Sequence, residues 1–181
     1  MKLTRLKTGN SAPTFKVKDT QGNTIDLALN RERITLLSFF RYASCPLCNL
    51  RVRELIRSYD QLTSRGIDII AVFQSTDEQI SRYVGEQHPP FPIIADPEAK
   101  LYQMYRVESS WRGFLRTWTL GISQVIEAVV GNRFFPGRID GEINRIPADF
   151  LIDTKGMLIE AYYGNDIGDH IPVDQLIKTT R

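Results

Sequence analysis

The chain of 181 residues holds two cysteines, and they stand together as Cys45-Pro46-Leu47-Cys48. The run before them, Ile34-Thr35-Leu36-Leu37-Ser38-Phe39-Phe40, is almost wholly apolar, as a central parallel strand covered on both faces is. The run after them, Asn49 to Leu62, carries Leu50, Leu55, Ile56, Tyr59 and Leu62 at roughly helical spacing, with Arg51, Arg53, Glu54 and Arg57 between. A C-x-x-C between a buried strand and a helix puts a dithiol where redox chemistry is favoured. Orphan backbone N–H groups and the positive end of the helix dipole stabilise a thiolate there. A free cysteine with a pKa of about 8.5 is only slightly ionised at neutral pH, whereas one brought to about 7 is roughly half thiolate, the nucleophilic form.

Two other uses of such a pair compete with that one. A structural disulfide across three positions closes a very small loop and gains little chain entropy. Half of a zinc site needs two more ligands, and the two histidines, His88 and His170, lie far apart without metal-ligand spacing. Inert buried thiols are the remaining alternative. No cofactor or metal is expected.

With 23 basic and 21 acidic residues the net charge is +2, too balanced to suggest nucleic acid as a partner. The opening Met1-Lys2-Leu3-Thr4-Arg5-Leu6-Lys7 has no apolar core of signal-peptide length, and no later run is long enough to span a bilayer. The expectation is therefore a cytoplasmic protein with no membrane partner. A reducing cytosol makes an adjacent cysteine pair catalytic rather than structural.

Along the chain, Gly9 to Leu29 reads as a β-hairpin turning at Asp19-Thr20-Gln21-Gly22-Asn23. Ile67-Asp68-Ile69-Ile70-Ala71-Val72-Phe73 is a second buried strand, and a helix from Asp77 to Gln87 follows, capped by Ser75 or Thr76 and broken by His88-Pro89-Pro90. Phe91 to Pro97 is extended, and Glu98 to Tyr105 is a short helix. Residues 148–153 and 158–163 flank Thr154-Lys155-Gly156 as an antiparallel hairpin, and Val173 to Thr180 forms a last helix. The order predicts one α/β domain over residues 1–181, with a helix-covered central mixed β-sheet.

A helical insertion interrupts that order over about 108–144. Trp111, Phe114, Leu115, Trp118, Ile122, Val125, Ile126, Val129 and Val130 follow helical spacing, and Phe134-Phe135-Pro136-Gly137 ends the pattern. The plain expectation is that this stripe packs on the core. A lid over the site and a homodimer face are the other readings, since large aromatics suit interfaces.

These pieces together resemble the alkyl hydroperoxide reductase/thiol-specific antioxidant branch, the peroxiredoxin-like proteins, of the thioredoxin-fold superfamily. Gly9-Asn10-Ser11-Ala12-Pro13-Thr14-Phe15 looks like that branch's opening segment, and Asp19-Thr20-Gln21-Gly22 like its first turn. Phe91-Pro92-Ile93-Ile94-Ala95-Asp96-Pro97 with Tyr105-Arg106-Val107 is similar to its middle signature, and Phe150 to Gly156 to its closing hairpin. The reactive loop departs from the branch. With Cys48 in the peroxidatic slot of Pro-x-x-x-Thr/Ser-x-x-Cys, Cys45 stands where threonine belongs and Arg41 where proline belongs. Pro147 stands where such enzymes carry a thiolate-stabilising arginine. In thioredoxins that place holds a cis-proline, so the resemblance implies that Ile146-Pro147 is cis and lines the site.

From the residues themselves, Cys45 is nearest the helix start and is expected to be the more exposed, more acidic and attacking thiol. Cys48 would resolve the mixed disulfide or sulfenic acid. The peroxiredoxin register would reverse the two roles. Pro46 suits the first helical position. Arg41 and Arg51 flank the pair and could steady a thiolate, although arginines in such places are commonly solvated. Tyr42 is either a hydrogen-bond donor to the site or a packed aromatic. The resemblance implies a thiol-dependent enzyme reducing hydroperoxides or disulfides, re-reduced by a thioredoxin- or glutathione-type thiol donor. A disulfide reductase without peroxidase activity, a redox-sensing binding module, and a reductase for an endoperoxide or quinone-like substrate are the alternatives.

Overall fold

A computed structural model describes residues 4–28, 32–120, 127–131, 134 and 136–179. Its strands are β1 (Lys16–Lys18), β2 (Thr24–Asp26), β3 (Ile34–Phe39), β4 (Ile67–Phe73), β5 (Ile93–Ala95), β6 (Ala148–Ile152) and β7 (Leu158–Tyr163). Its helices are α1 (Pro46–Arg57), α2 (Tyr59–Ser64), α3 (Asp77–Tyr83), α4 (Lys100–Met104), α5 (Trp111–Leu120) and α6 (Val173–Thr179). A 3₁₀ turn at Gly85–Gln87 and a π turn at Glu127–Gly131 complete the described elements.

Strands β1 and β2 pair as the expected hairpin, Lys16 opposite Asp26, in a small sheet of their own. The Asp19 carboxylate closes the turn by accepting from the N–H groups of Gln21 (2.9 Å) and Asn23 (2.8 Å). The other five strands form a mixed sheet in the order β5-β4-β3-β6-β7. Strand β3 runs parallel to β4, with Leu36 opposite Ile69, and antiparallel to β6, with Ser38 opposite Asp149. The sequence-based expectation of a helix-covered mixed sheet is met.

Burial on both faces explains the continuous apolar runs. Successive strand side chains point to opposite faces. On β4, Ile67, Ile69, Ala71 and Phe73 join the core layer that also holds Val52 and Leu55 of α1 and Leu176 of α6. Ile70 and Val72 join the opposite layer, with Leu37, Phe39, Phe150 and the α4 residues Leu101 and Tyr102. In that second layer Phe39 meets Phe150 edge-on at 5.8 Å and Tyr102 at 5.0 Å. Each such buried ring contributes about 1.5–3 kcal/mol from area alone.

Three local readings change in the structure. The cysteine-bearing helix starts at Pro46, the first helical position that residue suits, ahead of the spaced run from Asn49, because Cys45 is its N-cap and a first-position proline lacks the N–H that would go unpaired. It ends at Arg57, and Ser58 (φ −99°, ψ 3°) separates it from α2. The insertion's stripe does not simply pack on the core. Trp111 is 62% exposed, Leu115 63% and Val130 73%, while Phe114 rests against the core. The face of α5 that packs is the one carrying Gly113, where an added Cβ would lie 2.5 Å from Ile146 Cδ1 and 2.9 Å from the Asn165 carbonyl oxygen. Residues 121–126 and Phe135, and the side chain of Trp118, lie outside the described residues. Finally, the Ile146–Pro147 bond is trans, against the cis expectation. Ile146 N–H donates to the Glu108 carbonyl (3.1 Å) and Pro147 O accepts from Gly164 N–H (2.9 Å), so the segment enters β6 already tied on both sides. With that lead-in satisfied, the intrinsic trans preference of about 0.5–1 kcal/mol stands. No helix among the described residues is long and apolar enough to cross a membrane.

Candidate active site

Strand β3 delivers the dithiol. Phe40 N–H still bonds to Val72 O (2.9 Å), so the chain leaves the sheet only at Arg41 and turns through Ala43 and Ser44 into α1. Three side chains from elsewhere hold this turn. Ser75 Oγ accepts from Ala43 N–H at 2.8 Å. Asn49 Nδ2 donates to the carbonyls of Ala43 (2.7 Å) and Cys45 (3.0 Å), and Gln87 Nε2 in turn donates to Asn49 Oδ1 (2.8 Å). Sequence reasoning missed all three. An asparagine inside a helix, where it competes for backbone bonds, is the one signal that pointed there.

Cys45 Sγ sits at the helix N-terminus and accepts from Cys48 N–H at 3.5 Å. Arg41 Nη1 donates to the same sulfur at 3.3 Å. Burial by itself would raise the Cys45 thiol. The Cys48 thiol donating to it, the Arg41 charge, and the backbone N–H groups of Cys48 and Leu47 outweigh burial and hold it at about 6. Burial, together with the neighbouring Cys45, pushes the Cys48 thiol well above its ordinary range. The more acidic thiol is therefore Cys45, as expected. The expectation that it is the more exposed is not met, since Cys45 is 1% and Cys48 2% exposed. The turn from β3 folds both sulfurs into the core layer shared with Phe40, Val52 and Ile146.

The other expected site residues divide. Arg41 is buried against Cys45, and its guanidinium also lies 5.0 Å from the Tyr42 ring centroid. Tyr42 is buried, and burial, with Cys45 close by, lifts its hydroxyl to about 12, so it stays protonated. Pro46 opens α1 at the rim of the pair. Ile146 shares the apolar cluster with both cysteines, and Pro147 follows it into β6. Arg51 faces away, bonded to Ile171 O (2.7 Å) and Glu54 (2.6 Å). Arg145 is buried beside Pro147 yet bonds Gln74, Val107 O and Glu142 rather than a sulfur.

The AhpC/TSA family pattern matches residues 8–161. The chain belongs to the AhpC/TSA family. Peroxiredoxin Bcp of Escherichia coli is 25% identical over 153 residues, covering 84% of this chain and 83% of that protein. Chloroplastic peroxiredoxin Q of Triticum aestivum is 23% identical over 145 residues, 78% of this chain and 67% of that one. Among solved structures, peroxidoxin BcpB from Mycobacterium tuberculosis superposes with a TM-score of 0.70 at 13% identity, over 98% of this chain and 97% of that one. The reduced 2-Cys peroxiredoxin of Plasmodium vivax gives 0.67 at 13% identity, covering 97% and 80%. The scaffold is thus the thioredoxin-type fold of these proteins. Within it, this AhpC/TSA chain places Arg41, four residues before Cys45, against the sulfur. The position singled out from the resemblance holds Pro147.

A second polar cluster, which the sequence did not reveal, joins β3, β6 and the C-terminal segment. Asp149 on β6, fully buried, accepts from Ser38 Oγ (2.5 Å) and Ile171 N–H (2.8 Å), and its oxygens lie 3.0 and 3.1 Å from His170 Nδ1. Only strand pairing and the return of the C-terminal segment bring these residues together.

Proposed function

We propose that this protein is a peroxiredoxin-type thiol peroxidase, one domain over 1–181, that cycles Cys45 and Cys48 between dithiol and disulfide. The observation that carries this reading is the Cys45 sulfur at the helix start, receiving the Arg41 guanidinium at 3.3 Å and the Cys48 N–H at 3.5 Å. The names of the relatives support it. The Cys45 thiolate attacks the terminal oxygen of a hydroperoxide. The O–O bond breaks, the sulfur loses two electrons, and the alkoxide takes a proton to leave as the alcohol. Cys45 is then a sulfenic acid. The Cys48 thiol attacks that sulfur, and the hydroxyl leaves with the Cys48 proton as water, closing the disulfide. A thiol donor of thioredoxin or glutathione type returns two electrons and two protons. Tyr42 and Ile146 wall the site, and Pro46 sets the helix start. A reducing compartment, the cytoplasm on this reading, suits such a cycle.

Single-turnover oxidation tests it. Hydrogen peroxide is expected to produce a dimedone-trappable sulfenic acid on Cys45 in Cys48→Ser, and a disulfide in the wild type. A slow reaction with peroxide combined with fast exchange against a small disulfide would convert the reading into a thioredoxin-like reductase, which the C-x-x-C pair itself favours. A homodimer through the exposed Trp111 and Leu115 belongs to the same reading. Sedimentation velocity of the wild type and Leu115→Glu checks it, and a monomeric wild type removes it.

A further inference from the structure

The Asp149–His170 pair takes no part in the dithiol cycle, and its histidine stands in the wall of a groove. Leu47, Leu50, Arg51, Glu54 and Arg57 recur at three- and four-residue spacing, so they share one flank of α1. Together with residues 168–172 that flank encloses a groove of about 490 Å³. Arg51 Nη2, donating to Ile171 O at 2.7 Å, fixes the two walls to each other. From Leu47 to Arg57 the helix rises about 15 Å. The volume falls among those of small-molecule sites, about 300–1,000 Å³, and far exceeds what one water needs.

His170 is held in one orientation. Asp149 receives Nδ1 at 3.0 and 3.1 Å, and Ser38 Oγ and Ile171 N–H fix that carboxylate in turn. The side chain is only 5% exposed, and Nε2 has no partner among the described residues. A polar atom so placed calls for a partner, and in the imidazolium form Nε2 donates, which suits an anion. The charges around it agree. Arg51, Arg53 and Arg57 line the groove with Glu54 and Glu127, and Glu54 is already paired to Arg51 at 2.6 Å. Arg51 Nε is buried without a partner. Arg57 is exposed and has no ion pair among the described residues. Leu47, Leu50 and Pro172 supply apolar wall beside these charges.

We propose that the groove between α1 and residues 168–172 is a binding site for a small organic anion, a carboxylate or a phosphate monoester. Its charged group sits between Arg57 and His170 Nε2, and its apolar part lies on Leu47, Leu50 and Pro172. A planar guanidinium takes either oxyanion through two parallel bonds, so the charge shared by the two classes is what the site reads. Leu47 stands between the two cysteines, which puts the bound anion beside the redox loop. The site does not depend on whether the dithiol reduces peroxide.

Nuclear magnetic resonance of the reduced full chain tests this, because the protein has two histidines and His88 serves as an internal control. Titration with phenyl phosphate and with benzoate is expected to move the His170 Cε1–H resonance and to leave that of His88 in place. Benzyl alcohol, similar in shape but uncharged, is expected to move neither. A response to phenyl phosphate alone assigns the site to phosphate monoesters, and a response to benzoate alone assigns it to carboxylates. Inorganic phosphate, which lacks the apolar part, is expected to bind about tenfold more weakly than phenyl phosphate. Arg57→Glu, at an exposed position, is expected to weaken the binding of the responding anion about tenfold or more with the urea midpoint unchanged, and Arg57→Lys to stay within about threefold of the wild type. A His170 resonance that neither anion moves at about 10 mM overturns the proposal. An equal response to benzyl alcohol, equal movement of His88, or undiminished binding to Arg57→Glu does the same. Inorganic phosphate binding as tightly as phenyl phosphate removes the organic part of the ligand and with it the proposal.

Discussion

Arg41 and Cys45 are four residues apart on a tight turn, and that spacing sets the reactivity of the pair. With its thiol held at about 6, Cys45 is about 90% thiolate at pH 7, while at an ordinary pKa of about 8.5 it would be about 3%. Arg41→Met is therefore expected to slow reaction with hydrogen peroxide at pH 7, by less than the roughly thirtyfold of a full return to the ordinary thiol, because the Cys48 thiol and the helix-start N–H groups still favour the thiolate. The pH dependence of alkylation by iodoacetamide measures the same shift, with an inflection near 6 in the wild type and a higher one in the variant. An unmoved inflection would show that the helix start, not Arg41, sets the thiolate. Asn49 acts by position rather than charge. Removing its side chain leaves the Ala43 and Cys45 carbonyls without their Nδ2 donors, at about 1–3 kcal/mol. Asn49→Ala is expected to lower the unfolding free energy in urea by that amount and also to raise the Cys45 inflection, which a merely structural role would leave in place.

At the scale of elements, the continuous apolar run that reads as a buried strand in the sequence is divided by the pleat of β4 between two core layers, so this strand was legible from pattern alone. The insertion was not. Its apolar stripe has helical spacing, yet α5 packs through Gly113 and leaves Trp111 and Leu115 outside. Apolar spacing shows which residues share a face. It does not show which face a neighbour will meet when a glycine permits a closer approach. Gly113→Leu, which drives a side chain into Ile146 and the Asn165 carbonyl, is expected to cost about 1–3 kcal/mol in urea unfolding. Leu115→Ala, on the exposed face, is expected to stay within about 0.5 kcal/mol of the wild type. The reverse ranking would mean that the stripe is the packed face.

Across the whole molecule, the buried Asp149 ties the centre of the sheet to the C-terminal segment, and through Arg51 and Ile171 O to α1. Burial alone would raise its carboxyl. The His170 charge and hydrogen bond, with Arg51 and Ser38, overcome that and hold it at about 2. A carboxylate whose folded pKa is depressed stabilises the fold above its unfolded value and loses that stabilisation as pH falls toward the folded one. Stability from this group is thus complete at neutral pH and fades between about pH 4 and pH 2, an effect of about 2 kcal/mol. Asp149→Asn is expected to be less stable at pH 7 by about that amount and to show a flatter urea midpoint across the acid range. An unchanged acid slope would place the dependence elsewhere.

The sequence by itself determined the strand–turn–helix frame, the closing hairpin and the place of the cysteine pair at the strand–helix junction. Those follow from local pattern, caps and spacing, which act between residues near one another in the chain. Tertiary structure alone decided that both thiols are buried and that Arg41 faces the sulfur of Cys45. It also decided that Ile146–Pro147 is trans, and that Ser38, Asp149 and His170 meet. These depend on which segments the sheet order and the return of residues 136–171 press together, and contacts such as Ser38 with Asp149 or Arg41 with Ile143 O, across a hundred positions, leave no periodic trace in the chain.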